Sequence, residues 1–278
     1  MAQETLLDRV MHKASKRCWL LKKQMVQTLH SDHNKSATKQ AVFVAGVQRS
    51  GTNMMMDVLE QSYDTDVYHE TDNRAFEDYE MRPRTVIHRL VNTSKASVVV
   101  IKALCELHEV RQLLDEFAPA KGIWIVRDFA DVVNSHLALW TSMPRNLGLI
   151  VKDRNAAGWR GRGMSDATHA LVKKLYHPDM SNASACALFW YFRNILFFEQ
   201  GLDRDERVSL MYYESLVTNP AEQFSRLLDF LGIQYSPRIT SMVFATSVRK
   251  RSPRDIDPAI REICEALAAR FNALQTKQ

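Results

Sequence analysis

Hydrophobic positions along the chain fall into short unbroken runs, and stretches of helical period lie between them. Residues 41–45 (AVFVA), 97–102 (SVVVIK), 122–126 (GIWIV) and 208–212 are strand candidates, and 66–69 is a shorter one. Helical spacing predicts helices over 53–61, 106–117 and 129–140. Three more are predicted over 184–199, 220–231 (ended by Gly232) and 258–273, the last with proline in its first turn. Strands apolar on both faces and alternating with helices predict an α/β fold, a parallel sheet covered on both sides. Residues 141–180 interrupt the rhythm with Pro144, Gly148, Gly158, Gly161, Gly163 and Pro178, and are expected to form a loop-rich insert. Trp140, just before it, and Trp159 within it offer aromatic faces on which a sugar ring could stack.

Residues 5–29 contain neither glycine nor proline. Leu7, Met11, Ala14, Cys18, Leu21, Met25 and Leu29 recur at helical spacing, with most of the basic residues on the other side. The preferred reading is a helix docked on the body by its apolar stripe; the other is peripheral attachment to an anionic membrane at its inner face. A polar linker over 31–39 follows. The expected organisation is therefore a helix and linker over 1–40 and a catalytic domain over 41–278.

Charge sharpens this division. Lys plus Arg number 37 against 32 Asp plus Glu, a net charge of +5. Residues 1–40 hold eight basic and three acidic residues, so 8 − 3 = +5 resides there and the body is balanced. A neutral body disfavours a nucleic-acid partner. The four cysteines, Cys18, Cys105, Cys186 and Cys264, lack metal-ligand spacing and are expected to be reduced, buried thiols. With no long apolar run and no secretory leader pattern, a soluble cytoplasmic protein is expected.

The strongest local signal is Gly46-Val-Gln-Arg49-Ser50-Gly51-Thr52-Asn53, between the first strand and its helix. Such a turn aims backbone N–H groups and a helix N-terminus at one anion. Gly46 and Gly51 have P-loop separation, but Thr52 and Asn53 stand where a nucleoside-triphosphate loop needs Lys and Ser/Thr. An anion is expected here without a magnesium triphosphate, and no metal is expected elsewhere.

Arg-Ser-Gly-Thr after a strand resembles the 5′-phosphosulfate loop of the sulfotransferases, which use 3′-phosphoadenosine 5′-phosphosulfate (PAPS). A second turn, Arg127 followed eight positions on by Ser135, with Asp131 between, is similar to the family's 3′-phosphate motif. A third stretch, from Tyr212-Tyr213-Glu214 to Gly232, is similar to its Tyr-Glu-x-Leu segment. The resemblance runs over about 41–250 and implies a P-loop NTPase-like three-layer fold and transfer of the sulfuryl group to a hydroxyl.

By the same resemblance, Arg49, Ser50, Gly51, Thr52 and Asn53 take the 5′-phosphosulfate, and Arg127 and Ser135 take the 3′-phosphate. Tyr213 faces the nucleotide, and Arg249, in Arg249-Lys250-Arg251, closes over the 3′-phosphate. The family's cytosolic branch carries Lys-Thr-His at a strand end, where this chain has Lys102-Ala103-Leu104. That departure points to the carbohydrate type, which uses a Glu after the first helix, and so to a carbohydrate or glycolipid acceptor. Glu70 is the expected general base, with His69 as the alternative. Arg49 and Lys102 serve the leaving phosphate. A kinase-like phosphotransferase and a catalytically degenerate nucleotide-binding module are the rival readings.

Overall fold

The computed structural model describes residues 18–29, 39–139, 142–241, 243 and 255–275. Five strands form one parallel sheet: β1 (Gln40–Gly46), β2 (Thr65–Tyr68), β5 (Val98–Lys102), β6 (Ala120–Val126) and β7 (Val208–Tyr212), in the order β2-β5-β1-β6-β7. A two-stranded hairpin of β3 (Phe76–Glu77) and β4 (Glu80–Met81) stands apart. Successive side chains on a strand point to opposite faces, so the continuous apolar runs divide into two cores. Phe43, Ala45, Val99, Ile101 and Trp124 face one layer; Val42, Val44, Val100, Ile123 and Ile125 face the other.

The first layer centres on α8 (Asn182–Glu199), which is apolar nearly all round and buried along most of its length. Around it lie α4 (Val110–Glu116), α5 (Phe129–Leu137) and α11 (Pro258–Gln275). The second layer holds α2 (Thr52–Glu60), α9 (Tyr213–Thr218) and α10 (Pro220–Leu231). Gly232 ends α10 in the left-handed conformation. This is the expected α/β architecture, and helix α3 (Arg84–Thr93) was not among the predicted elements.

Two expectations need correction. The segment 141–180 is largely helical, with α6 (Met143–Lys152) and α7 (Asp166–Leu175). Pro144 lies in the first turn of α6, where it does no harm. Gly148 lies inside α6, where a Cβ would come 2.7 Å from the Tyr176 hydroxyl. His169 Nε2 lies 2.8 Å from Ile150 O and ties α7 to α6. Pro144 and Gly148 thus serve helix initiation and packing, whereas Gly158, Gly161, Gly163 and Pro178 stand in the segments that connect α6, α7 and α8.

The second correction concerns the N-terminal helix, α1 (18–29), which docks on the body by the face opposite to the expected one. Trp19, Lys23 and Gln27 face inward. Lys23 is 4% exposed, and its Nζ donates to Glu60 O (2.8 Å) and Thr65 Oγ1 (3.0 Å). Trp19 Nε1 donates to Glu60 O (3.2 Å), and Gln27 Nε2 to Tyr63 O and Thr65 O. These polar tips satisfy the carbonyl of Glu60 at the C-terminus of α2 and those of Tyr63, in the turn that follows, and Thr65, at the start of β2. Leu21, Met25 and Leu29 face solvent, and Cys18 is exposed whereas the other three thiols are buried. Among the described residues no helix is long and apolar enough to cross a membrane.

Candidate active site

The sheet places the C-terminal ends of β1, β5 and β6 side by side, and each delivers its motif to one edge, where ligands bind in open α/β sheets. The loop after β1 turns sharply. Arg49 and Gly51 both have positive φ (72° and 97°), and Gly51 is the residue before α2. At Gly51 a Cβ would lie 2.4 Å from the Tyr213 ring; at Gly46 it would lie 2.6 Å from Ile125 O. Only glycine lets the loop close this tightly against Tyr213 and β6. Ser50 Oγ is buried with no hydrogen-bond partner among the described residues, a donor that fits a bound oxyanion.

The turn after β6 is tied directly to this loop. Arg127 Nη1 donates to Arg49 O (3.0 Å), and Arg49 Nε donates to Ser135 Oγ (2.8 Å) on α5. Arg127 is buried, lies over the Tyr213 ring (4.2 Å) and faces Asp131 Oδ2 at 3.8 Å. Asp128 caps α5 by accepting from Asp131 N (3.0 Å). Arg49, Gly51, Thr52, Asn53, Arg127, Ser135 and Tyr213 thus line one cleft. Arg249 lies outside the described residues, as does Trp140.

Several supports of this cleft were not predicted. Glu214 Oε1 accepts from Asp128 N (3.1 Å), so the Tyr-Glu segment fixes the Arg127 turn from β7. Burial pushes the Glu214 carboxyl above its ordinary range. Trp190 Nε1 donates to Arg127 O (3.1 Å) from α8. His136, fully buried beside Ser135, has Nε2 3.1 Å from Gln48 O, and burial pushes its pKa down to about 4. The ring is therefore neutral and holds its proton toward the loop. The sequence signal for His136 was its place next to Ser135, and nothing marked its partner.

A second cleft, of about 550 Å³, opens between α1, α2 and the end of β2. It contains Glu70, His69, Asp57, Asp66, Asp72 and Arg74, and shares Asn53 with the first cleft. Lys102, at the end of β5 and almost wholly buried, joins the two: Nζ donates to Asn53 Oδ1 and pairs with the Glu70 carboxylate. Burial lowers the Lys102 pKa, and the hydrogen bond and charge of Glu70 oppose that shift. His69 turns the other way, with Nε2 3.7 Å from Glu60 Oε1 and 4.0 Å from Asp57 Oδ1. These three residues could hold a metal ion, since their ligand atoms all lie within 4.8 Å of one another.

Trp159 stands away from both clefts. Its ring meets Phe189 edge-on, Arg160 lies over it, and its carbonyl accepts from the buried Arg193. Leu104, in the place of the cytosolic histidine, is buried, and its carbonyl also accepts from Arg193 (3.2 Å).

Comparison with known proteins adds the following. A family model described as a sulfotransferase domain matches residues 39–252. Among solved structures, a sulfotransferase domain from the curacin biosynthetic pathway is similar at 15% identity, covering 85% of this chain and 99% of its own, with TM-score 0.49. A sulfotransferase from Alicyclobacillus acidocaldarius is similar at 17% identity, with coverages of 84% and 92% and TM-score 0.47. A mouse sulfotransferase complexed with PAP is similar at 14% identity, with coverages of 86% and 89% and TM-score 0.43. These likenesses are too distant to carry weight, and no curated protein matches the chain. The family model spans most of the chain, including both phosphate turns: the chain belongs to the sulfotransferase family and is a PAPS-dependent sulfotransferase.

Proposed function

We propose that sulfuryl transfer takes place where the two clefts meet at Asn53, with Glu70 as general base and a sugar or glycolipid hydroxyl as acceptor. PAPS supplies an activated sulfuryl group on a phosphate leaving group. The loop 46–53 holds the 5′-phosphosulfate through its N–H groups, the Ser50 hydroxyl and the α2 N-terminus. Arg127 and Ser135 hold the 3′-phosphate, and Arg49, bonded to Ser135, spans the two sites. The guanidinium fork suits tetrahedral oxyanions.

Charge develops on the bridging oxygen as the sulfur–oxygen bond breaks, and cations aimed there lower the barrier. Lys102, between Asn53 and Glu70, places an ammonium at that point. Glu70 takes the hydroxyl proton as the acceptor oxygen bonds to sulfur, and the departing phosphate keeps the electron pair of the broken bond. One observation carries this reading: Asn53 lines both clefts, and its side-chain oxygen is bonded to the lysine that pairs with Glu70.

A carbohydrate acceptor is supported by Leu104 in place of the cytosolic histidine and by the polar lining of the second cleft. The test is sulfuryl transfer from labelled PAPS to a library of hydroxyl acceptors. Transfer to sugars or glycolipids that is lost in Glu70→Gln supports the reading. Transfer to phenols and simple alcohols alone, or unchanged turnover of Glu70→Gln, overturns the acceptor class or the base respectively.

A further inference from the structure

The docked orientation of α1 leaves an apolar stripe without a partner in the fold. Leu21, Met25 and Leu29 are 56%, 68% and 77% exposed. Seven large hydrophobic side chains are exposed among the described residues, and these three lie on one stripe while the other four are dispersed. At 100° per residue the stripe lies on the side of the helix opposite Trp19, Lys23 and Gln27, along the rim of a groove it shares with body residues. A helix attached by polar contacts, with its apolar face in water, gains nothing within the fold from that face. Exposed apolar surface of this kind marks an interaction site.

Charge decides the partner. The chain's net charge of +5 comes from residues 1–40, and Arg9, Lys13, Lys16, Arg17 and Lys22 fall in the same segment. In sequence, Leu7, Met11 and Ala14 continue the spacing of the stripe. Lys22 stands exposed at its flank, and Lys95, exposed on the body beside it, donates from Nζ to Thr28 Oγ1 (2.9 Å). An apolar stripe rimmed by cations fits a bilayer interface, with the stripe in the acyl boundary and the cations at anionic headgroups. A protein partner of neutral charge would not use that excess.

We infer that α1 seats the enzyme on an anionic lipid surface by Leu21, Met25 and Leu29. The Trp19, Lys23 and Gln27 contacts hold the helix to the body, so the body travels with it. The stripe also lines a groove with Tyr68 and Leu90. That groove shares Gln24, Gln27, Asp66 and Arg74 with the cleft of Glu70, so a seated enzyme turns that cleft toward the lipid.

The full chain is tested by co-sedimentation with vesicles of phosphatidylglycerol and phosphatidylcholine, and of phosphatidylcholine alone. Binding to the anionic vesicles that weakens with salt is expected, with a loss of tenfold or more for Leu21→Ser/Met25→Ser/Leu29→Ser. A second readout does not depend on that variant folding. Cys18 is the exposed thiol beside the stripe, and an environment-sensitive dye on it should shift to the blue on anionic vesicles. Equal binding to both vesicle types, unchanged binding of the triple variant, or no dye shift would overturn the inference. A lipid-independent dimer abolished by the same substitutions would assign the stripe to a second copy of the chain instead.

Discussion

The cleft of the two strand-to-helix turns and the cleft of Glu70 sit at the same edge of the sheet but are built differently. The first is made of the turns after two adjacent strands, β1 and β6, whose side chains and carbonyls bond each other: Arg127 to Arg49 O, Arg49 to Ser135, His136 against Gln48 O. Its geometry is backbone geometry, and its ligand is recognised by groups every such turn possesses. The second draws individual side chains from α1, α2 and the end of β2, and its Glu70 carboxylate pairs with the buried Lys102, which also bonds Asn53. On the proposed reading, the shared reaction chemistry is held by bonded turns on one side, and acceptor identity is left to side chains on the other.

If that contrast is right, substitutions should separate binding from turnover. Glu70→Gln has the largest expected effect, a fall in turnover of about 10²–10⁴-fold for a lost general base. Affinity for 3′,5′-ADP, measured by calorimetry, should stay nearly unchanged. Arg127→Ala comes next on the other side. Losing charge-assisted bonds of roughly 1.5–3 kcal/mol each should weaken 3′,5′-ADP by about tenfold to a hundredfold or more. If Glu70→Gln weakened nucleotide affinity as much as Arg127→Ala does, the two clefts would not be separable.

Gly51→Ala probes the rigidity of the first cleft. It forces a Cβ into the Tyr213 ring at a positive φ, and strained backbone of this kind costs about 1–3 kcal/mol. Chemical denaturation should show a loss of that order together with weakened 3′,5′-ADP binding. Full retention of both would mean that the loop is not held by Tyr213.

His136 gives a pH signature of similar or smaller size. Its folded pKa of about 4 lies below the ordinary 6.5, so between those values the unfolded chain binds a proton that the folded chain does not. The stability it contributes is fully present above pH 6.5 and is lost as the pH falls toward 4, at up to ~1.4 kcal/mol per pH unit. Denaturation curves between pH 7 and 5 should show this slope, and His136→Gln should flatten it. Lys23→Met, in the acceptor half, should cost about 1 kcal/mol by removing bonds to Glu60 O and Thr65. It should leave 3′,5′-ADP affinity intact.

The same contrast explains what could be read from the sequence. The five strands were legible because a buried parallel strand is a run of apolar residues. The loop 46–53 and the Arg127–Ser135 turn were legible because each lies within one contiguous segment at a strand end. Glu214, Trp190 and His136 could be seen as residues but not as supports, since their partners lie 63 to 88 positions away or depend on packing that no local pattern records. Helix α6 was missed because Pro144 and Gly148 look like loop residues until their neighbours are known, and α7 because Gly158, Gly161, Gly163 and Pro178 flank it. The orientation of α1 was missed for an energetic reason. Periodicity predicts which face is apolar, whereas the carbonyls of Glu60, Tyr63 and Thr65, from the end of α2 to the start of β2, are met by Trp19, Lys23 and Gln27 on the other face.

The central claim is that two bonded turns form a site for a 3′-phosphorylated adenine nucleotide. Titration calorimetry of the full chain with 3′,5′-ADP, and separately with ATP and magnesium, tests it directly. Tight binding of 3′,5′-ADP that is lost in Arg127→Ala, with weak binding of ATP, is the predicted result. Tight binding of ATP with magnesium and none of 3′,5′-ADP would contradict the account.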